Sequence, residues 1–245
     1  MVKSSKQPTG ELIYGIHPTL EVLKARKRKV IAIYTTRPEP KQWSQIAALL
    51  PKHGVQIQYV DRDVLTKMVA TTDHQSIVTW VQPMVMRKKF FDPAKQRFLL
   101  MLDSIQDTRN MGAMLRSAYC AGVEGVIICK KQGAPLNAST LKASAGLAEH
   151  LEIYEAPSPE AAVQSLKEAG YNLYLATLGG NDASTCEYQE PLCLVIGNEA
   201  VGISKGILKS GTQITLRQRN TDISYNASVA AGILLFLIGT QNKRI

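Results

Sequence analysis

The chain has 245 residues, 45% hydrophobic and 20% charged, with 29 Lys and Arg against 20 Asp and Glu for a formal net charge of +9. That length suffices for one large core or two ordinary ones, and no apolar run spans a bilayer: the longest, Val229–Gly239, is too short and is interrupted by Gly232. The four cysteines form no CxxC pair, the four histidines have no ligand spacing and the opening MVKSSKQPTG lacks a signal peptide's apolar centre, so the expectation is a cytoplasmic protein with reduced thiols, no metal and no membrane partner.

A polar tail over residues 1–10 leads into ELIYGIHPTLEVLKARK, a short strand followed by a helix. VIAIYTT (Val30–Thr36) reads as a strand, WSQIAALLPKHG as a helix closed by Gly54, and VQIQYV as a second strand. DRDVLTKMVA has the form of a helix capped by Asp61 or Asp63, and HQSIVTWVQP (His74–Pro83) that of an alternating strand. Together they predict a small α/β domain over residues 11–83, with a connector at 84–96. Residues 1–96 carry 16 Lys and Arg against 7 Asp and Glu, a net +9, whereas residues 97–245 carry 13 of each. Charge confined to one domain, including ARKRK (Ala25–Lys29), points to a polyanion, with nucleic acid first. Few aromatics there argue against a stacking platform for single strands and favour contact with the backbone of a folded RNA.

From residue 97 the alternation resumes. FLLMLD is a continuous apolar strand of the kind buried on both faces of a parallel sheet. A helix follows around Gly112–Ala121, then strand GVIICK, a helix around Ser139–Ala148 capped by Asn137, and strand LEIYEA. SPEAAVQSLKEAG is a helix begun by Ser158 and ended by Gly170, and YNLYLATLGG, CLVIGN and QITLR are further strands before the apolar helix SVAAGILLFLIGTQ. The pattern predicts an open, mostly parallel sheet with helices on both faces over residues 97–245, in which ligands gather at the carboxyl ends of the strands.

Three loops at such ends combine glycine with polar residues: DSIQDTRNMG, IGNEAVGIS and LRQRNTDISYNAS. No GxGxxG follows the first strand of either half, so a dinucleotide fingerprint is missing. Taken singly, Asn110, Asn226 and Ser228 fit helix caps, Arg116 an exposed helix position and Glu199 a turn.

Taken in order, the Asn and Arg six apart, the later GxExxG and the SxNxSVAxG before the last helix resemble the SpoU (TrmH-type) RNA ribose 2′-O-methyltransferases of the SPOUT class. Tyr14–His17 and His74–Ile77 resemble the ends of the L30e-like substrate-binding domain that many members carry in front. The resemblance implies a trefoil knot, S-adenosyl-L-methionine as cofactor, and a homodimer whose active site borrows a residue from the partner chain. It implies an RNA substrate, rRNA before tRNA because the front domain is present, and nearest to the bacterial enzymes that methylate a guanosine ribose of large-subunit rRNA. Carried over residue by residue, the catalytic positions fall on Asn110, Arg116, Glu199, Ser224 and Asn226. The cofactor positions fall on Thr177, Ile196, Gly197, Gly202, Leu216, Tyr225 and Ser228. Two departures stand out: Thr108 replaces a customary Pro, and Arg217 and Arg219 place two positive charges in a loop beside a cationic cofactor. A catalytically silent RNA-binding paralogue and a small-molecule nucleotide enzyme are the rival readings, and the second leaves the basic front domain unexplained.

Overall fold

The computed structural model of the chain describes residues 10–130, 133–220 and 224–245. Residues 1–9 of the expected tail and 221–223 of the third loop lie outside the described residues. Two compact units form, one from residues up to Val85 together with Asn137–His150, the other from Met86–Leu136 and Leu151–Ile245.

The first unit begins with strand β1 (Glu11–Tyr14) and helix α1 (Ile16–Ala25), then β2 (Val30–Thr35), α2 (Trp43–Leu49), β3 (Gln56–Tyr59), α3 (Arg62–Val69) and β4 (Ile77–Val81). The sheet order is β1-β4-β2-β3, with β3 parallel to β2 and β4 antiparallel to β1 and β2. The carboxyl ends of β1, β2 and β3 therefore share one edge with the start of β4. Helix α2 stops at Leu49 instead of running to Gly54: Leu50 is extended (φ −63°, ψ 137°) because the following Pro51 disfavours the helical region. Asp61 occupies the N-cap of α3, yet its side chain makes no capping hydrogen bond. The stretch His74–Ser76 is a turn and not the start of a strand: Gln75 (φ 53°) and Ser76 (φ 61°) are both left-handed and Ile77 N–H donates to His74 C=O at 3.0 Å. Strand β4 itself is buried at four of its five positions, so its sides do not alternate.

The second unit opens with β5 (Phe98–Leu102), α4 (Thr108–Cys120) and β6 (Gly125–Cys129). After an excursion holding α5 (Ala138–Ala143), it continues with β7 (Ile153–Ala156), α6 (Pro159–Glu168), β8 (Asn172–Asp182), β9 (Leu192–Ile196), β10 (Thr212–Thr215) and α7 (Ala227–Gln241). All six strands are parallel, in the order β10-β8-β9-β5-β6-β7. Residues Leu99, Met101, Ile127, Cys129, Cys193 and Val195 pack on one face with Ala162, Val163 and Leu166 of α6. Their strand neighbours Phe98, Leu100, Leu102, Leu194 and Ile196 point to the other face and are equally buried. Helices α4 and α7 pack on each other, and α7 on β9. The ladder between β8 and β10 breaks once: Gln213 faces Leu175 but Ile214 faces Asn181, so Ala176–Gly180 lies opposite a single step of the partner strand. The stretch expected as a connector carries structure of its own. Arg87 N–H donates to Ile153 C=O at 2.7 Å, and Phe91, 3% exposed, enters the core beside α6.

The excursion Asn137–His150 is shorter in its helix than the sequence suggests and packs in the first unit. Asn137 Oδ1 caps α5 by accepting from Ser139 N–H at 3.0 Å and Thr140 N–H at 3.2 Å. A turn through Gly146 (φ +81°) then gives a single 3₁₀ turn, Leu147–His150. The side chains of Arg28 and Glu149, 2% and 1% exposed, form a two-point ion pair that Glu11 joins.

Candidate active site

Strand order reverses at β5, whose neighbours are β6 on one side and β9 on the other, so the loops after β5 and β9 border the crevice where open parallel sheets bind ligands. Asp103, fully buried at the end of β5, ties the two loops together: its carboxylate accepts from Ser204 N–H at 2.7 Å and from Ser204 and Ser104 hydroxyls at 3.0 Å. Asn198 adds a second tie, donating to Ser104 C=O at 2.8 Å while its Oδ1 accepts from Ala200 and Val201 N–H. Asn198 and Gly202 exchange backbone hydrogen bonds at 3.0 and 2.9 Å, closing a tight loop with Glu199 inside it. Gly202 sits at φ +71°, and a Cβ on Gly197 would lie 2.3 Å from Gly202 C, so both glycines are required by the loop's closure.

From that loop Glu199 reaches across to α4. Its carboxylate accepts from the backbone N–H of Gln106 (3.2 Å) and Asp107 (3.3 Å) and from Asn110 Nδ2 (3.1 Å). Asn110 Oδ1 in turn accepts from Asn226 Nδ2 at 3.2 Å. Asn226 Oδ1 caps α7, accepting from Ser228 Oγ (2.6 Å) and from the Ser228 and Val229 N–H groups. Burial raises the Glu199 carboxyl's affinity for a proton, but the Asn110 amide and the backbone donors outweigh it and hold the group below the usual carboxylate range. Asn110 is thus not a cap; Asp107 caps α4 by accepting from Arg109 N–H. Three of the residues singled out by the motifs form one hydrogen-bonded chain across three separated loops.

Arg116 stands apart from that chain. Six residues along α4 amount to about 9 Å of rise and roughly 240° of turn from Asn110, and the side chain is exposed with no partner among the described residues. Tyr119 (43% exposed) lies one turn further on α4, and Val229 (50%), Ile233 (37%) and Phe236 (60%) expose an apolar stripe along α7, which packs on α4. Ser224 and Tyr225 are exposed just ahead of the α7 cap.

Of the positions expected to hold the cofactor, Tyr225 and Ser228 flank the α7 cap and the others lie on or after strands β8, β9 and β10. Ile196 closes β9, Leu216 follows β10 half-buried, and Thr177 lies in the irregular stretch of β8. Thr177 Oγ1 is buried and has no hydrogen-bond partner among the described residues. An orphan buried hydroxyl beside a ligand crevice fits a donor or acceptor role toward a bound molecule. Arg217 does not aim a bare charge at the crevice: it pairs with Asp182 at 2.6 Å, and Asp182 is held by the N–H and hydroxyl of Ser184. The Ser184 bonds, with Arg217 adding to them, keep the Asp182 carboxyl below its ordinary range.

Sequence comparison matches residues 97–236 to the SpoU rRNA methylase family. The chain belongs to that family. The front part of this SpoU chain, residues 12–84, matches the domain described as RNA 2′-O ribose methyltransferase substrate binding. Among relatives, the 23S rRNA (guanosine-2′-O-)-methyltransferase RlmB of Escherichia coli K12 is 31% identical over 237 residues, 92% of this SpoU chain and 96% of RlmB. The solved SpoU methyltransferase AviRb of Streptomyces viridochromogenes, in complex with AdoMet, superposes with a TM-score of 0.79 at 19% identity, covering 96% of this chain and 91% of AviRb. A structure described as an RNA 2′-O ribose methyltransferase gives a TM-score of 0.82 at 20% identity, covering 95% and 88%. These structural likenesses establish that the SpoU chain shares their fold. Asp103, Asn198 and Ser204, which join the loops, carried no motif signal beyond a carboxylate at the end of an apolar strand.

Proposed function

We propose that the chain is an S-adenosyl-L-methionine-dependent RNA ribose 2′-O-methyltransferase that acts as a homodimer on a guanosine of large-subunit rRNA. The observation that carries this reading is the chain Glu199–Asn110–Asn226, which joins the three motif loops at the sheet's ligand-binding edge. The match of residues 12–84 to a substrate-binding domain and the activity for which the RlmB relative is named support the RNA and the nucleotide. Thr177 Oγ1, Leu216 and the backbone at Ile196 and Gly197 would hold the cofactor.

The cofactor supplies a methyl group already activated for displacement, so the protein's task is to align the ribose oxygen and meet its charge. A guanidinium with a pKa above ~12 is a costly base but a strong partner for developing negative charge and for an adjoining phosphate. Arg116 takes that role, while Asn110, oriented by Glu199 and Asn226, positions the nucleotide. Arg116 is exposed on α4, which packs against α7 with its apolar stripe, the feature most suited to a second copy, and in this reading its guanidinium serves the partner's site.

The test is methyl transfer from tritiated cofactor to 23S rRNA and tRNA transcripts, followed by nucleoside analysis. The expected product is 2′-O-methylguanosine from 23S rRNA. Arg116→Ala should lower the rate by at least about 10²-fold and leave cofactor affinity, measured by calorimetry, nearly unchanged. Methylation of a base, of tRNA alone, or a substantial rate in Arg116→Ala would overturn the reading.

A further inference from the structure

At the carboxyl edge of the first unit's sheet, a cavity of about 470 Å³ lies between the ends of β2 and β3, the start of α3 and the His74–Ser76 turn. Its size falls within the roughly 300–1,000 Å³ of small-molecule sites. Three of its charged groups have no hydrogen-bond or ion-pair partner among the described residues. Arg37 lies over the Tyr59 ring, 4.0 Å from its centroid, with no carboxylate opposite it. Arg62, equally without an ion pair, and Asp61, the N-cap that does not cap, line the same cavity. Opposite charges that share a cavity without pairing leave each free to meet a ligand.

The wall at Ser76 is rigid. The two left-handed residues of the turn are fixed from several sides: His74 Nδ1 accepts from Ser76 N–H at 3.1 Å, Ser76 C=O accepts from the Thr35 hydroxyl at 2.9 Å, and Gln75 Oε1 accepts from Ile16 N–H at 3.2 Å and Lys142 Nζ at 2.8 Å. Such over-determined strain is characteristic of sites where geometry matters. His74, buried and bonded to Thr66 through Nε2 at 3.1 Å, has its proton affinity lowered by burial, with the Arg62 charge adding to it, and serves as the turn's neutral support.

We infer that this cavity binds one unstacked guanosine nucleotide of the RNA, outside the methyl-transfer site. The inference rests on the proposal that the substrate is RNA, and adds the nucleotide that the front domain reads. A guanidinium held over an aromatic ring at the cavity wall provides a planar cation on which a base can stack, as in RNA-binding proteins. Arg62 supplies donors for a phosphate. The carboxylate of Asp61 only accepts, so it selects a base edge with two adjacent donors. Guanine, with N1–H beside N2–H₂, presents such an edge, whereas adenine, cytosine and uracil each set an acceptor next to their donor. One ledge for one base is compatible with a domain too poor in aromatics to line a single strand.

The test uses the full protein and three fluorescein-labelled RNA hexamers, UUUGUU, UUUAUU and the inosine form UUUIUU, with binding read by anisotropy at one fixed salt concentration. The expected order is guanosine over adenosine by roughly tenfold or more, with inosine, which lacks the N2 amine, between them. Asp61→Asn should abolish that preference and leave UUUAUU binding unchanged, and Arg37→Ala should weaken all three alike. Equal binding of the three hexamers, a guanosine preference surviving Asp61→Asn, or no effect of Arg37→Ala would overturn the inference. Competition by GMP at concentrations matching the hexamer would assign the site to a free nucleotide and equally overturn it. Methyl transfer by the unaltered protein, measured alongside, separates the two ideas. Methylation without guanosine preference removes the nucleotide site alone, and preference without methylation removes the enzyme assignment alone.

Discussion

Glu199 is the residue on which the site's acid sensitivity depends. Its folded-state pKa lies below the unfolded reference of 4.5, so the bonds it accepts from Asn110, Gln106 and Asp107 stabilise the loops fully above that value. They are lost as the pH falls through the lowered one. The thermal midpoint of the wild type, compared with Glu199→Gln, should therefore show a constant gap above pH 4.5 that closes in more acidic solution; a gap that widens toward acid would contradict the assignment. Thr177 makes a prediction of opposite sign for stability and binding. Thr177→Val removes an orphan hydroxyl, so the thermal midpoint should hold or rise, while cofactor affinity in calorimetry should fall about tenfold for one lost hydrogen bond. Unchanged affinity would remove Thr177 from the cofactor site. Asn110, Glu199 and Asn226 were legible because their spacing recurs as a pattern with a chemical rationale. Asp103 and Asn198 were not, since a carboxylate closing a strand and an amide in a loop look alike whether they bind a ligand, cap a helix or bolt two loops together.

At the level of elements, the strands and helices follow from apolar periodicity and caps: Ser158 and Asn137 cap their helices as their positions suggest, and Gly170 takes the left-handed turn after α6. What local sequence does not carry is which core an element joins. Residues 137–150 follow a strand of the second unit and by chain order belong with it, yet Arg28 of the first unit pairs with Glu149 of this segment in a fully buried setting. Periodicity describes a helix's apolar face without naming the surface that will cover it. Replacing Arg28 by Met strands a buried carboxylate, and its cost should be about 3–5 kcal/mol in urea unfolding of the first unit; a loss under about 1 kcal/mol would mean the pair is peripheral. The end of α2 was missed for a simpler reason: Pro51 acts on Leu50 before Gly54 is reached.

Over the whole molecule, charge and topology divide the labour. The first unit's sequence holds 13 Lys and Arg against 7 Asp and Glu, the larger share of the net charge, and a cavity of unpaired charged groups, suited to gripping RNA. The second, with 16 Lys and Arg against 13 Asp and Glu, is a less charged parallel sheet whose three motif loops converge on one edge. No helix among the described residues is long and apolar enough to cross a membrane, and α7 leaves Val229, Ile233 and Phe236 exposed. Under the proposed function a second copy of the chain would cover this stripe and bring Arg116 into use at the same time.

Purified heterodimers, in which one protomer carries Arg116→Ala and the other Asn226→Ala, test this most directly when each is isolated through a separate affinity tag. With each homodimer inactive, a shared site leaves one of the two sites in the heterodimer whole, and the account predicts methyl transfer at about half the wild-type rate per dimer. A heterodimer as inactive as its parents would contradict it, because Arg116 and Asn226 would then have to work within one protomer or not together at all.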